Sequence, residues 1–465
     1  MIKFDLVIVG NGILSLISAL KLKKRHPRTQ IAMVGPANRP FCASYAAGAM
    51  HAVFCEVEDT FRDLSRDREV FEVGLEARAL WHELLSEFNL KNVVTAESTV
   101  MYRRKQGTPF EIANFEAACS KAADYGCLEE IPDKELDNIF FGNLKSSDII
   151  AKKFVGEFAF DSESLINGLQ LLLEKMGVIF IDAKVQKLDR MTGGLQISLS
   201  NDEVIQAGRA VLAAGSESAK LLPKEIPMVP LYHAVGTAMV LDSAPPSYSK
   251  LNAVVRTPNR GGAQCGLHIV PRNFGKFYLG AGSYLTDKEP AHRVETIRYL
   301  TNICENELYG RQVIYHAKAS LLLGSRPKSM DGYPIVGSWK DLPEVFVATG
   351  MNRLGMTIAP VIAAEVCHWF DNGEPSGRFQ KWSPARTLHS YASMEVATRY
   401  YSESRISNLI EHGLLSLDQV EAITVKRTEL ENSARNLNAE IVQIHGLAKD
   451  FVVDPDLYAL LAAAR

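Results

Sequence analysis

The residues best placed to do chemistry stand near the start of the chain, where Gly10-Asn11-Gly12-Ile13-Leu14-Ser15 forms a G-x-G-x-x-S turn. In such a turn the first glycine permits a sharp bend and the second lets the backbone approach a pyrophosphate. A small third residue lets helix and strand pack closely, and serine is small enough. The chemistry implied is dinucleotide binding, with the phosphates at the free N–H groups and positive dipole end of a helix start. A glycine turn made for purely structural reasons is the alternative. One element is missing: Ile31-Ala32-Met33-Val34 is followed by Gly35, where such a site carries an Asp or Glu for the ribose hydroxyls. The ribose is then left to water, to backbone, or to Asn38 or Arg39.

The elements around this turn have the right order. Phe4-Asp5-Leu6-Val7-Ile8-Val9 is a β-branched apolar run suited to a parallel strand buried on both faces. Leu14, Ile17, Ala19, Leu20 and Leu22 recur at helical spacing, Arg25-His26-Pro27 stops the helix, and Gln30 to Val34 predicts a second strand. That is one βαβ unit. Far downstream, apolar side chains from Ile358 to Trp369 predict a helix with Leu354, Gly355, Met356 and Thr357 at its start. Residues 266–272 and 276–282 predict a hairpin of a second, sheet-forming domain. Ala392 to Lys449 holds few breakers and many helix formers, which predicts a helical segment at the C-terminal end.

The composition bounds the rest. With 465 residues, two or three domains are expected. Hydrophobic residues at 47% and charged ones at 23% exclude a mostly disordered or collagen-like chain. A net charge of −3 supplies no bulk field for nucleic acid or an anionic membrane. No apolar stretch is long enough to span a bilayer and no secretory leader is evident, so a cytoplasmic protein is expected. The seven cysteines are scattered with no C-x-x-C pair, so reduced thiols are expected and no metal site.

Five ordered blocks, from about residue 4 to Arg386, resemble the D-amino acid oxidase and glycine oxidase (DAO) family of FAD-dependent oxidoreductases. They are the N-terminal turn; Ala43-Ser44-Tyr45-Ala46-Ala47-Gly48-Ala49-Met50; Val211-Leu212-Ala213-Ala214-Gly215; Arg326-Pro327 with Asp331-Gly332-Tyr333-Pro334-Ile335-Val336-Gly337; and Gly350-Met351-Asn352-Arg353-Leu354-Gly355-Met356-Thr357-Ile358-Ala359-Pro360. Residues 177–188 resemble the strand that crosses near the adenine. The resemblance implies noncovalent FAD held by Gly10, Gly12, Ile13, Leu14, Ser15, Gly35, Ala43, Ser44, Ala47, Gly48, Ala49, Val185, Ala214, Gly215, Gly350, Arg353, Leu354, Gly355, Met356 and Thr357. No cysteine between Cys304 and Cys367 is available for a covalent flavin link near Arg326. It further implies an amino acid substrate whose carboxylate meets Arg326, with Arg353 beside it, since a guanidinium fork gives a carboxylate two parallel hydrogen bonds. The structural alternative for Arg326 is an ion pair with Asp331. His268 matches a position facing substrate and could exchange a proton near neutral pH, or could be a histidine satisfied inside a sheet. Tyr232, His233 and Tyr284 are further candidates for the pocket wall.

The architecture implied is α/β: a Rossmann-like FAD-binding domain (1–80, 145–225 and 318–386) interleaved with a mixed-sheet α+β substrate domain (81–144 and 226–317). The helical extension, 387–465, has no counterpart in the family pattern; it either packs against the flavin domain or serves as a lid, a dimer element or a docking surface for a partner protein. The function implied is oxidation of the C–N bond of an amino acid or related amine to an imine, by an oxidase or a dehydrogenase. The alternatives are a flavoprotein acting on a residue or amino acid tethered to a partner protein, docked through the C-terminal helices, and a non-catalytic assembly subunit, which the missing ribose carboxylate at Gly35 would suit.

Overall fold

The computed structural model describes residues 3–140, 144–242, 252–261, 266–308 and 317–462. The apolar run near the N-terminus forms the strand Lys3–Val9 at the centre of an eight-stranded sheet. It lies parallel to Val204–Leu212 on one side and Ile31–Val34 on the other, in register Val9↔Leu212 and Val9↔Val34. Leu342–Thr349 and Ile179–Ile181 continue the parallel order outward. Leu6, Val7 and Ile8 are wholly buried, each contributing about 1.5–3 kcal/mol by leaving water.

Both faces of this strand are covered, each by different parts of the chain. Leu6 and Ile8 share a core with the helices Ile13–Arg25, Ser65–Glu87, Ser162–Lys175 and Gly355–Asn372. Val7 and Val9 face the other way, into a core that holds Leu188, Leu195 and Ile197 and extends to Leu437, Ile441 and Tyr458 of the C-terminal segment. The extension therefore joins the core on this face of the sheet. It comprises the helices Met394–Glu411 and Val420–Ile444, packed on one another, and the short helix Tyr458–Ala462.

A second, nine-stranded sheet carries the expected hairpin, with His268–Pro271 antiparallel to Phe277–Thr286. Strands Ile149–Phe160 and Lys318–Ser329, which the sequence reading grouped with the nucleotide fold, pair into this second sheet through Val94–Arg104 and Leu231–Asp242. The long pairing of Lys318–Ser329 includes Ala234↔Arg326, so the strand delivers Arg326 to the seam between the sheets.

The helix Gly355–Asn372 holds Pro360. Proline has no N–H for the carbonyl four residues earlier, Met356. Trp81, fully buried, repairs this: its Nε1 donates to Met356 O and Thr357 O, both at 3.0 Å. Among the described residues no helix is long and apolar enough to cross a membrane.

Charged groups pin the extension down. Asp454 meets Arg66 Nη1 at 2.8 Å and Lys328 Nζ at 3.2 Å, and both Asp454 and Lys328 have side chains exposed by 5% or less. Burial pushes the Asp454 carboxyl up, but Lys328 and Arg66 outweigh it and hold the group below the usual carboxylate range. Its contribution to stability is thus complete above the unfolded-state pKa and lost as pH falls through the depressed native value. Urea unfolding across acid pH should show that loss, and Asp454→Ala, which leaves Lys328 to Asp456 and Arg66 to Asp67, should cost about 1–3 kcal/mol at neutral pH. Trp81→Phe, leaving the Met356 carbonyl without its donor, should cost about 1–3 kcal/mol in the same assay.

Candidate functional site

The strand Lys3–Val9 runs into Gly10, whose φ of +114° and whose position, with any Cβ only 2.4 Å from Ala213 O, exclude a side chain. Gly12 is the N-cap of the helix Ile13–Arg25, and the Ile13 N–H donates to Ser44 Oγ at 3.1 Å. No acidic residue occupies the first turn of that helix. Around this turn lies a cavity of about 650 Å³, lined by Gly10, Gly12, Ile13, Leu14, Gly35, Ala43, Ser44, Val185, Ala214 and Gly215 and reaching Asn352 and Gly355. Two of the predicted contacts stand behind this wall. Ser15 is wholly buried, filling the helix–sheet contact, and Gly350 makes a left-handed turn against Ile335.

The absent ribose carboxylate has a physical cause. A Cβ at Gly35 would come within 2.8 Å of Asn11 Cγ, so the Asn11 side chain already fills that space, donating through Nδ2 to Pro36 O at 2.8 Å. Arg39 lines the cavity, steered by bonds to Gln170 and Asn167, whereas Asn38 is not part of the wall.

A slot of about 120 Å³ adjoins this cavity and shares Ala43, Ser44, Asn352 and Gly355 with its wall. Small residues make most of it: Ala46, Ala47, Gly48, Ala49, Gly236, Ala281 and Gly324. The start of the helix Gly355–Asn372, with Met356 and Thr357, closes one end, and its N-cap Leu354 offers no side-chain acceptor to the first-turn N–H groups. A cavity of this volume opening into a slot lined mostly by small residues fits a dinucleotide ending in a ring system, and the helix start suits a negatively charged ring edge.

Arg326 and Arg353 line both the slot and an adjoining chamber of about 150 Å³. Arg326 donates from Nε to Ala234 O at 3.1 Å and from Nη2 to Ser283 Oγ. The alternative partner is taken elsewhere: Asp331 is bound by Arg386 at 2.6 Å. Arg353 is engaged by two carboxylates, Glu56 at 2.7 Å and Glu58 at 3.2 Å. Burial raises both glutamates; for Glu56 the pull of Arg353 and Arg256 prevails and its carboxyl lies below the ordinary value, while Glu58 stays above it.

His268 lies against the slot, stacked on Tyr278 with ring centroids 5.6 Å apart. The idea that it exchanges protons near neutral pH is corrected by its setting, since burial, with Arg256 adding to it, lowers its pKa to about 3. It is a neutral hydrogen-bonding group at physiological pH. The other wall candidates are dispersed: His233 bonds Ser325 at 2.7 Å beside the nucleotide cavity, Tyr232 meets His445 at 3.3 Å, and Tyr284 donates to Ala291 O at 2.6 Å. Missed from the sequence were Glu56, Glu58, Ser283, Lys328, Tyr391, Tyr400, Asp454 and Asp456, all in the chamber wall. The paired acids Glu56-x-Glu58 and Asp454-x-Asp456 were the available signal, but nothing local joined them.

The family described as FAD dependent oxidoreductase (DAO) matches residues 5–369. The bifunctional protein ThiO/ThiG of Synechocystis sp. is 23% identical over 395 residues, covering 83% of this chain and 54% of its own. The chain thus spans about half the length of the curated relatives it matches. Among solved structures, glycine oxidase from Geobacillus kaustophilus shares the fold with a TM-score of 0.69 at 19% identity, over 84% of this chain and 100% of its own. Iminodiacetate oxidase from Chelativorans sp. BNC1 does so with a TM-score of 0.67 at 17% identity, over 82% and 98%.

The glycine turn carries a direct expectation. Gly12→Val puts a branched side chain where the pyrophosphate must approach, so the purified variant should keep its far-ultraviolet circular dichroism and lose most of its flavin absorbance per protein.

Proposed function

This chain belongs to the DAO family of FAD-dependent oxidoreductases, and on that premise we propose that it oxidises the C–N bond of a small amino acid to an imine, which then hydrolyses. The observation that carries this reading is the place of Arg326, whose side chain lines both the slot and the chamber. Bound noncovalently, FAD would supply a two-electron, hydride-accepting group at the slot.

The chain's own residues do the positioning. Arg326, braced by Ala234 O and Ser283 Oγ, presents its fork to the substrate carboxylate and so fixes the rotation of the Cα–H bond toward the slot. The neutral His268 and Tyr278, whose hydroxyl donates to Ala46 O at 3.1 Å, keep the wall of the slot rigid without adding charge. Glu56 and Glu58 restrain Arg353 beside the same chamber, which makes Arg326 the principal carboxylate ligand and Arg353 a support. Because residues of the extension complete the chamber, a small free substrate is favoured over one tethered to a partner protein.

Anaerobic titration of the FAD-loaded protein with amino acids, followed by flavin absorbance, tests the reading. Bleaching by at least one free amino acid is expected; a flavin that no amino acid or amine reduces would refute it. Arg326→Met should lower kcat/KM by about a hundredfold or more, with Arg326→Lys between the two because it keeps charge but loses the fork.

A further inference from the structure

Ala46, Ala47 and Gly48 form one wall of the slot, and the three carbonyls that lead into it are each taken by a side chain from a distant part of the chain. Ser162 Oγ donates to Tyr45 O at 2.9 Å, Tyr278 Oη to Ala46 O at 3.1 Å, and Arg272 Nη2 to Ala47 O at 2.7 Å. All three donors are buried residues. Arg272 ties them together. Its other arm, Nη1, donates to Ser162 Oγ at 2.7 Å, and its guanidinium lies 5.2 Å from the centre of the Tyr278 ring. Ser162 is thereby left to give its own proton to the loop, and the Tyr278 ring is held where its hydroxyl reaches Ala46 O.

These bonds also decide where the N–H groups of the loop point. In a trans peptide the N–H is directed opposite to the C=O, and the peptides here are trans, so fixing three carbonyls on one side fixes the N–H groups of Ala46, Ala47 and Gly48 on the other. That of Ala46 is used within the loop, by Cys42 O at 3.0 Å. Those of Ala47 and Gly48 meet no acceptor among the described residues, although Gly48 is buried and both residues line the slot. A buried N–H without an acceptor is rare, and two adjacent ones beside a slot make a donor pair suited to an electron-rich ring edge. A carbonyl that accepts from a cation is polarised, which makes the hydrogen bonds in line with it stronger. Asp161 approaches the Nη1 arm at 3.6 Å and itself takes the N–H groups of Ser164 and Asn273, so the ion pair stands with its positive end toward the loop.

We propose that Arg272 is a positioning residue for the flavin: by organising the clamp on the Tyr45, Ala46 and Ala47 carbonyls, it aims and strengthens the Ala47 and Gly48 N–H donors and raises the electron affinity of a flavin ring in the slot. Two-electron reduction adds negative charge to that ring, and donors fixed beforehand stabilise the reduced form more than the oxidised one. The inference concerns the cofactor and goes beyond the amino acid oxidation reading, since it does not depend on which substrate delivers the electrons.

The test measures the redox equilibrium between the bound flavin and a reference dye in the full-length FAD-loaded protein, with a chemical reductant as the electron source. Arg272→Met should move that equilibrium toward oxidised flavin by roughly tenfold or more, which for a two-electron couple lowers the potential by about 30 mV or more. Arg272→Lys, which keeps the cation but loses the rigid fork that spans Ser162 and Ala47 O, should fall between the two. Tyr278→Phe, which removes one donor and keeps the ring, should shift the equilibrium the same way by about threefold. An equilibrium unchanged in Arg272→Met would overturn the proposal, even if that variant binds FAD less tightly, because a purely structural clamp gives that result. If Arg272→Met does not fold or load with FAD, Tyr278→Phe decides, and an unchanged equilibrium there refutes the proposal.

Discussion

A buried lysine holds the molecule's three parts in one arrangement. Lys328 follows Arg326 by two residues on the same strand, with its side chain 5% exposed, and a cation so enclosed requires carboxylates brought to it. Asp454 and Asp456 come from the other end of the chain to meet that need, and Arg66, at the start of the long helix Ser65–Glu87, shares Asp454. Neutralising one side chain therefore fixes where the extension lies against the substrate sheet and against the helix that supports the flavin loop. The chamber's shape follows from this electrostatic closure. Remove the acids, and the lysine and Arg66 are left charged in a medium that solvates them poorly.

Much of the nucleotide half was legible in the sequence because its signals are local. The apolar run Phe4 to Val9, the glycine turn and the helix after it need only neighbours within one βαβ unit. The helix beginning at Gly355 was equally plain, since its apolar spacing is continuous. Arg326 was found through a motif and not through physics, as an arginine in isolation reads as a surface residue. Glu56, Glu58, Asp454 and Asp456 stayed hidden because their meaning lies in the cations they face, some of which are hundreds of positions away. The choice between the two roles open to His268 could not be made for a related reason, as sequence reveals the imidazole but not its burial or the nearby Arg256.

The departures from family expectation are each resolved by a local contact. At Gly35 the side chain of Asn11 occupies the space where an acid would stand, so the missing ribose carboxylate reflects a different filling of the same corner. This removes the main support for a degenerate site, because the glycine turn, the slot of small residues and the helix start all remain intact around it. Arg353 keeps its position beside the slot, where Glu56 and Glu58 engage it and hold its guanidinium in place.

The two-sided covering of the strand Lys3–Val9 also governs how the protein is born. Leu6 and Ile8 share a core with the helix Ile13–Arg25, which follows them at once, whereas the core that holds Val7 and Val9 draws members from as far along the chain as Leu195, Ile197, Leu437, Ile441 and Tyr458. At roughly 5–20 residues per second, on the order of 20–90 seconds of synthesis separate the strand from the last of these partners. During that interval the core on this face is incompletely packed, a surface suited to chaperone binding.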